Sequence, residues 1–144
     1  MSLDALSKSN DNPVLLNATI TTSTTTNGAE HDLSNCIDQI VSVVMTVSNY
    51  TGAGSLKPVF YKRQSTSDSL VVIPNEELRI KDLSTGLYLE PTDKYLASAL
   101  STNGSVKLAF VKKEKYFRGS IISTGITGSA VVSLVIQYEK ATQL

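Results

Sequence analysis

The sequence has one cysteine, one histidine and no tryptophan in 144 residues. Cys36 has no second cysteine with which to form a disulfide bond within the chain, so packing alone has to stabilise the core. No Cys/His grouping has the spacing of a zinc site, and no metal site is predicted. We expect Cys36, which precedes Ile37, to be a small buried hydrophobic residue.

The sequence also lacks a net charge, because 13 basic and 13 acidic residues cancel. A protein without a broad positive field does not attract nucleic acid or anionic membranes over a distance. We therefore predict no nucleic-acid partner and no membrane partner. Five cations do cluster late in the chain, and we interpret them as a solvated rim around strand ends: Lys107, Lys112, Lys113, Lys115 and Arg118.

Long hydrophobic runs are missing. No segment approaches the roughly 20 apolar residues that a transmembrane helix needs. The first 16 residues have no charged stretch followed by a continuous apolar run, so they do not resemble a secretory signal. We expect the chain to be made and folded in the cytoplasm.

The residues that catalysis usually requires are also scarce. His31 is distant in sequence from any candidate nucleophile, and we expect it to face solvent from a turn. Glu76 and Glu77 are adjacent, so on an extended chain they point to opposite faces and cannot share a proton. No calcium-loop, dinucleotide-binding or Walker motif occurs. We predict no catalytic residues, no cofactor and no enzymatic activity.

Serine and threonine are abundant, at about a quarter of the chain, beside 41% hydrophobic and 18% charged residues. This composition favours strands and turns over helices. The length fits one domain. Residues 1–13 are polar, with only Leu3 and Leu6 as apolar points, and we predict that they form an N-terminal arm before a single domain at 14–144.

Alternation of apolar residues predicts several strands. The clearest lies at 39–50, where Val41, Val43, Met45 and Val47 share one face. An earlier strand is predicted from residue 14 to 26, ending in a turn at Asn27–Gly28. Residues 91–100 allow a short helix or a strand. Near the end of the chain, two more strands have inward-facing sets: Val106, Leu108 and Phe110 in one, and Ala130, Val132, Leu134 and Ile136 in the other.

The strands recur at intervals of about 8 to 15 residues with turn signals between them. Parallel α/β folds are excluded in practice, because their crossovers need long helices. The predicted fold is an all-β antiparallel β-sandwich, jelly-roll or immunoglobulin-like, with an extended N-terminal arm.

Three stretches together resemble a family of small virion proteins of tailed bacteriophages. They are Asn27–Gly28 through Asp32–Leu33 into the apolar strand at 40–47, the polar strand-to-turn at 60–68, and the aromatic-Arg strand and Thr-Gly turn at 115–135. Two features depart from the family pattern, His31 at a commonly apolar position and the segment 74–103. The resemblance implies a β-sandwich head-decoration, cement or head-to-tail component.

From this resemblance we expect a structural virion protein that binds the capsid surface as a decoration or cement protein. Its partner would be the major capsid protein or another virion protein. It would act as a homo-oligomer in the virion, after assembly in the host cytoplasm. The alternatives are a head-to-tail connector or tail component and a carbohydrate or receptor-binding module, and a hydrolase ranks last.

The interface is expected to involve the arm and the strand after it, which could add backbone hydrogen bonds to a neighbouring capsid subunit. Arg118 is a further candidate, because it could pair with a carboxylate across an interface. The interface candidates are Leu3, Leu6, Val14, Leu16, Ile20 and Arg118.

Overall fold

The computed structural model of the chain describes residues 6–11, 13–36, 39–74, 77–83, 85–89 and 103–143. This part of the chain contains strands and no α-helix, and so nothing in it has the helical length and hydrophobicity of a membrane span. The strands are β1 (Leu6–Asp11), β2 (Val14–Ile20), β3 (Thr25–Asn27), β4 (His31–Asp32), β5 (Ile40–Ser48), β6 (Ser55–Arg63), β7 (Val71–Val72), β8 (Leu78–Asp82), β9 (Tyr88–Leu89), β10 (Gly104–Val111), β11 (Tyr116–Thr124) and β12 (Ala130–Gln143).

The strands form two sheets that pack face to face. The first has seven strands in the order β1-β12-β5-β10-β8-β9, with β2 also paired to β12. The second has five strands in the order β3-β11-β6-β7, with β4 also paired to β11. All pairings among the described residues are antiparallel. The predicted all-β antiparallel sandwich is confirmed.

The core lies between the sheets and follows the predicted alternation. In β5, Val41, Val43, Met45 and Val47 are all buried, while the residues between them are only partly covered. The predicted inward sets of β10 and β12 are buried as well. Cys36 belongs to the same core, so its predicted role as a small buried hydrophobic residue is confirmed.

The three phenylalanines of the chain stack across the two sheets. Phe117 of β11 lies 4.8 Å from Phe110 of β10 in the opposite sheet, with the rings 10° from parallel. Its other neighbour is Phe60 of β6, at 5.3 Å and 28°. Aromatic pairs at such distances add stabilisation beyond the area they bury. Phe117 therefore joins both sheets at the centre of the core.

The single strand predicted at 14–26 is wrong, because the chain changes sheet within it. β2 pairs with β12 in the seven-stranded sheet and β3 pairs with β11 in the five-stranded sheet. The buried hydroxyl of Ser123 holds the crossing segment: it donates to the carbonyl of Thr22 at 2.7 Å and accepts from the amide of Thr24 at 2.9 Å. A partner about a hundred residues away thus decides where the strand breaks.

The turn predicted at Asn27–Gly28 is also wrong, since β3 and β4 follow one another along the same edge of β11. Gly28 has no positive φ. A Cβ atom at this position would lie 2.6 Å from the carbonyl oxygen of Gly119 and 2.7 Å from that of Leu15. Glycine is required here because the backbones of both sheets approach it closely.

Residues 6–11 of the predicted arm form β1, which pairs with residues 138–143 of β12. Residues 1–5 and 12 of the predicted arm, with Leu3, lie outside the described residues, as do the predicted helix or strand at 91–100 and Glu76.

The expectation that His31 faces solvent from a turn is wrong. His31 is half-buried in β4, and its Nε2 atom shares a 2.6 Å hydrogen bond with the hydroxyl of Tyr138 in β12. The two rings also contact, with centroids 5.7 Å apart. This pair connects the five-stranded sheet to the seven-stranded sheet.

Replacing Phe117 with Ala should lower the free energy of unfolding by about 3–5 kcal/mol, because it leaves a cavity between two stacked rings. Urea unfolding measures this loss, provided that the slope of the unfolding free energy against urea concentration is unchanged. The matched variant Phe117→Leu keeps most of the volume and should cost clearly less. Equal losses in the two variants would contradict a central role for the aromatic stack.

Replacing Gly28 with Ala should destabilise the protein by about 1–3 kcal/mol or more, because backbone atoms of two sheets have to move apart. Gly104→Ala is the matched control. It lies in β10 with nothing within 4 Å of an added Cβ, so this change should be neutral or slightly stabilising. The unfolding temperatures of both variants test this prediction. A Gly28→Ala protein as stable as the unmodified protein would show that the backbones of the two sheets do not need to approach each other so closely at this residue.

Candidate protein-binding interface

The sequence-based interface candidates occupy different environments. Leu16 and Ile20 are buried in the core of their own sandwich. Val14 is exposed. The register of β2 against β12 shifts between Leu134 and Val135, and this irregularity places two consecutive residues of β2 on the buried side, leaving Val14 outside. Leu6 lies in β1.

Arg118 projects from the outer face of the five-stranded sheet and is half-buried. Its guanidinium carbon lies 5.4 Å from the ring centre of Tyr61, its direct partner across β6. Its Nε atom is buried and has no hydrogen-bond partner in the described part of the chain. The cation thus rests on an aromatic ring, and its pairing with a carboxylate across an interface stays a prediction.

Five large apolar residues are exposed at the two ends of the β5, β10 and β8–β9 part of the seven-stranded sheet, and all but Leu87 lie on its outer face. Ile40 of β5 and Val111 of β10 are direct cross-strand partners, so their side chains lie together. The other three belong to the β8–β9 hairpin. The exposed fractions are Ile40 60%, Leu83 43%, Leu87 66%, Tyr88 67% and Val111 54%. Clustered exposure of this kind is typical of surfaces that bind another molecule.

Three positively charged side chains lie between the apolar residues on the same face. Lys81 of β8 and Lys107 of β10 are direct cross-strand partners, and Arg79 pairs with Ala109 one step along. Like charges placed opposite each other destabilise a sheet. None of these three cations forms an ion pair with a described residue. The nearest compensating contact is the ring of Tyr88, whose centre is 5.8 Å from Lys81 Nζ.

These residues enclose a depression, which we call the outer groove: Ile40, Ser42, Arg79, Lys81, Leu83, Tyr88, Lys107 and Ala109, around about 370 Å³. Ser42 and Ala109 are partners on adjacent strands, and their small side chains form its floor. A second depression of about 250 Å³ shares Ile40, Arg79 and Ala109 with it and extends to Glu77 and Lys113. The surface is therefore concave and continuous across β5, β10 and β8.

The negative charge of Glu77, at the far end of this surface, is already paired with two lysines. Glu77 Oε1 lies 3.2 Å from Lys113 Nζ and 3.4 Å from Lys62 Nζ. Burial opposes ionisation of this carboxyl, but the hydrogen bond from Lys113 and the charge of Lys62 outweigh it, so the pKa of Glu77 is lowered from its ordinary 4.5. Glu77 hence offers no free negative charge to the cations of the groove.

The predicted rim of five cations separates into different environments. Lys107 lies in the outer groove, and Lys113 binds Glu77. Lys112 donates to the carbonyl of Cys36 at 2.9 Å, and Lys115 lies 5.2 Å from the ring centre of Tyr116. Only one of the five therefore contributes to the centre of the candidate interface.

The interface residues predicted from the sequence do not include Ile40, Arg79, Lys81 and Tyr88. Alternation does place Arg79 and Lys81 on the outside of their strand. The meeting of Lys81 with Lys107 depends on the pairing of β8 with β10, which no local pattern specifies. Among the described residues, no group of three or more histidine, cysteine, aspartate or glutamate side chains could hold a metal ion.

No model of a known protein family matches the chain, and neither does any curated protein. Among solved structures, the crystal structure of the SPBc2 prophage-derived protein YomS is similar to it, with 12% sequence identity and a TM-score of 0.47 over 90% of this chain and 94% of that chain. A similarity at this level supports no inference about function.

Replacing Glu77 with Gln should destabilise the protein at pH 7 by less than about 1 kcal/mol, since the carboxylate is partly exposed. The pKa of Glu77 is lowered in the folded state, so the ionised side chain stabilises the fold above pH 4.5. This stabilisation is lost as the pH falls through the lowered pKa and the carboxylate becomes protonated. Urea unfolding of both proteins between pH 7 and pH 2 should show the difference disappear. A difference independent of pH would contradict the ion-pair explanation.

Proposed function

We propose that this protein is a non-enzymatic structural protein of a tailed-phage virion that binds the capsid surface as a decoration or cement protein. It acts as a homo-oligomer on the major capsid protein and contacts it through the outer groove and the apolar residues around it. The observation that carries the proposal is the set of four exposed apolar residues on the outer face of the seven-stranded sheet, Ile40, Leu83, Tyr88 and Val111.

Two properties of this face support a docking role. Its apolar residues lie on paired strands or on a short hairpin of the same sheet, so little conformational entropy is lost when a partner covers them. The same face carries polar and charged residues between the apolar ones, as protein interfaces do. The likeness of residues 27–138 to small phage virion proteins supplies the biological setting.

The test is co-sedimentation of the purified protein with empty capsids of the virus that encodes it. Val111→Ser should weaken binding by about tenfold, because it removes an apolar side chain from the interface. Val71→Ser is the matched control: Val71 is 57% exposed, close to the 54% of Val111, but it belongs to β7 in the other sheet. The control should bind as the unmodified protein does.

Absence of co-sedimentation at any protein concentration would overturn the proposal. Equal weakening by Val111→Ser and Val71→Ser would overturn the assignment to this face. Binding to a glycan array that Val111→Ser abolishes, without binding to capsids, would replace the proposal with a carbohydrate-binding function.

A further inference from the structure

We infer that the outer groove binds a carboxylate-rich, partly apolar segment of a partner protein. This inference rests on the proposed function and names the chemistry of the partner surface. It follows from cations that no described residue pairs with, from the apolar residues that flank them and from the shape of the groove.

The charge arrangement provides the first step. The outer face of β5, β10 and β8 carries Arg79, Lys81 and Lys107 and, among its described residues, no acidic side chain. Lys81 and Lys107 repel each other as direct partners. A glutamate in place of either lysine would remove that repulsion within the chain. The carboxylates of a bound partner can remove it between chains, and they gain charge-assisted hydrogen bonds from Arg79.

The apolar flanks decide between classes of anionic partner. Ile40, Val111 and Leu83 border the cations and are exposed. A nucleic acid would present phosphates to these side chains and would gain little from them, and three cations supply only a weak counterion-release effect. A protein segment with leucine or valine beside its carboxylates satisfies both parts of the groove at once.

Three carboxylates of this chain are not available to the groove of a second copy, because each is already engaged within its own chain. Glu30 binds Arg63 through two hydrogen bonds of 2.7 and 2.8 Å. Glu77 binds Lys62 and Lys113. The Asp32 carboxylate accepts hydrogen bonds from the hydroxyl and the amide of Ser34, which hold its pKa below the ordinary value.

The experiment is a titration of the isotopically labelled full chain with short capped peptides, followed by amide NMR shifts. The probe contains glutamate and leucine, and the control peptide contains glutamine and leucine. We expect the acidic peptide to shift the amides of Ser42, Arg79, Lys107 and Ala109, and to bind more weakly as salt is added. The neutral peptide should bind at least about tenfold more weakly.

Charge reversal then tests the residues. The double variant Arg79→Glu, Lys107→Glu should lose at least about tenfold in affinity for the acidic peptide. Arg79→Gln with Lys107→Gln is a milder second variant and should show a smaller loss in the same direction. Lys57→Glu changes the net charge on the outer face of the opposite sheet, and it should leave the affinity unchanged.

A stability measurement separates this site from an ordinary surface. Lys107→Glu places a carboxylate opposite Lys81, so the unfolding temperature should stay the same or rise while peptide binding falls. A lowered unfolding temperature would show that the like charges are not a cost to the fold, and it would overturn the inference.

Further results would contradict the inference that the outer groove binds a carboxylate-rich segment. Equal binding of the acidic and neutral peptides, an equal effect of Lys57→Glu, or tighter binding of a thymidine oligonucleotide at the same amides would each overturn the inference. If capsids bind the double variant as well as the unmodified protein, the inference fails and the proposed function stands. If the acidic peptide binds at the groove but capsids do not, the proposed function fails and the chemistry of the site stands.

Discussion

The backbone at residues 28–29 is hydrogen-bonded to both sheets, and the arrangement of the sandwich depends on this contact. Gly28 donates to the carbonyl of Gly119 in β11 at 2.9 Å, and Ala29 donates to that of Leu15 in β2 at 3.1 Å. The two bonds fix the separation and alignment of the sheets along one edge. With that edge fixed, the stacked phenylalanines meet and the alternating strands present their polar residues outward.

Local sequence patterns were sufficient to predict strands that pack one whole face on the apolar core. They failed where residues far away in the sequence determine the path of the backbone. In β5, burial follows the period of two, because the whole face packs on one core. The break between β2 and β3 depends on Ser123, and the extended path past Gly28 depends on Gly119. The candidate interface was missed for the same reason, since Lys81 and Lys107 become neighbours only through strand pairing.

The two outer faces of the sandwich treat their cations differently. On the five-stranded sheet, Arg63 is held by Glu30 and by the carbonyls of the 66–68 turn, and Arg118 rests on Tyr61. On the seven-stranded sheet, Arg79 and Lys107 have no such partners among the described residues. The described residues of the five-stranded sheet thus supply contacts to Arg63 and Arg118, whereas those of the seven-stranded sheet supply no ion pair to Arg79 and Lys107.

The pairing of β1 with the last residues of β12 sets Leu6 beside Gln143. A short linker could join these two positions, and the backbone could be cut in the exposed turn at 65–68. The strands would then follow one another in a different order along the chain, and every strand pairing would be kept. Circular permutation of this kind would place new chain ends in the turn after β6. Peptides or fluorescent domains fused at the new ends would then project away from the outer groove.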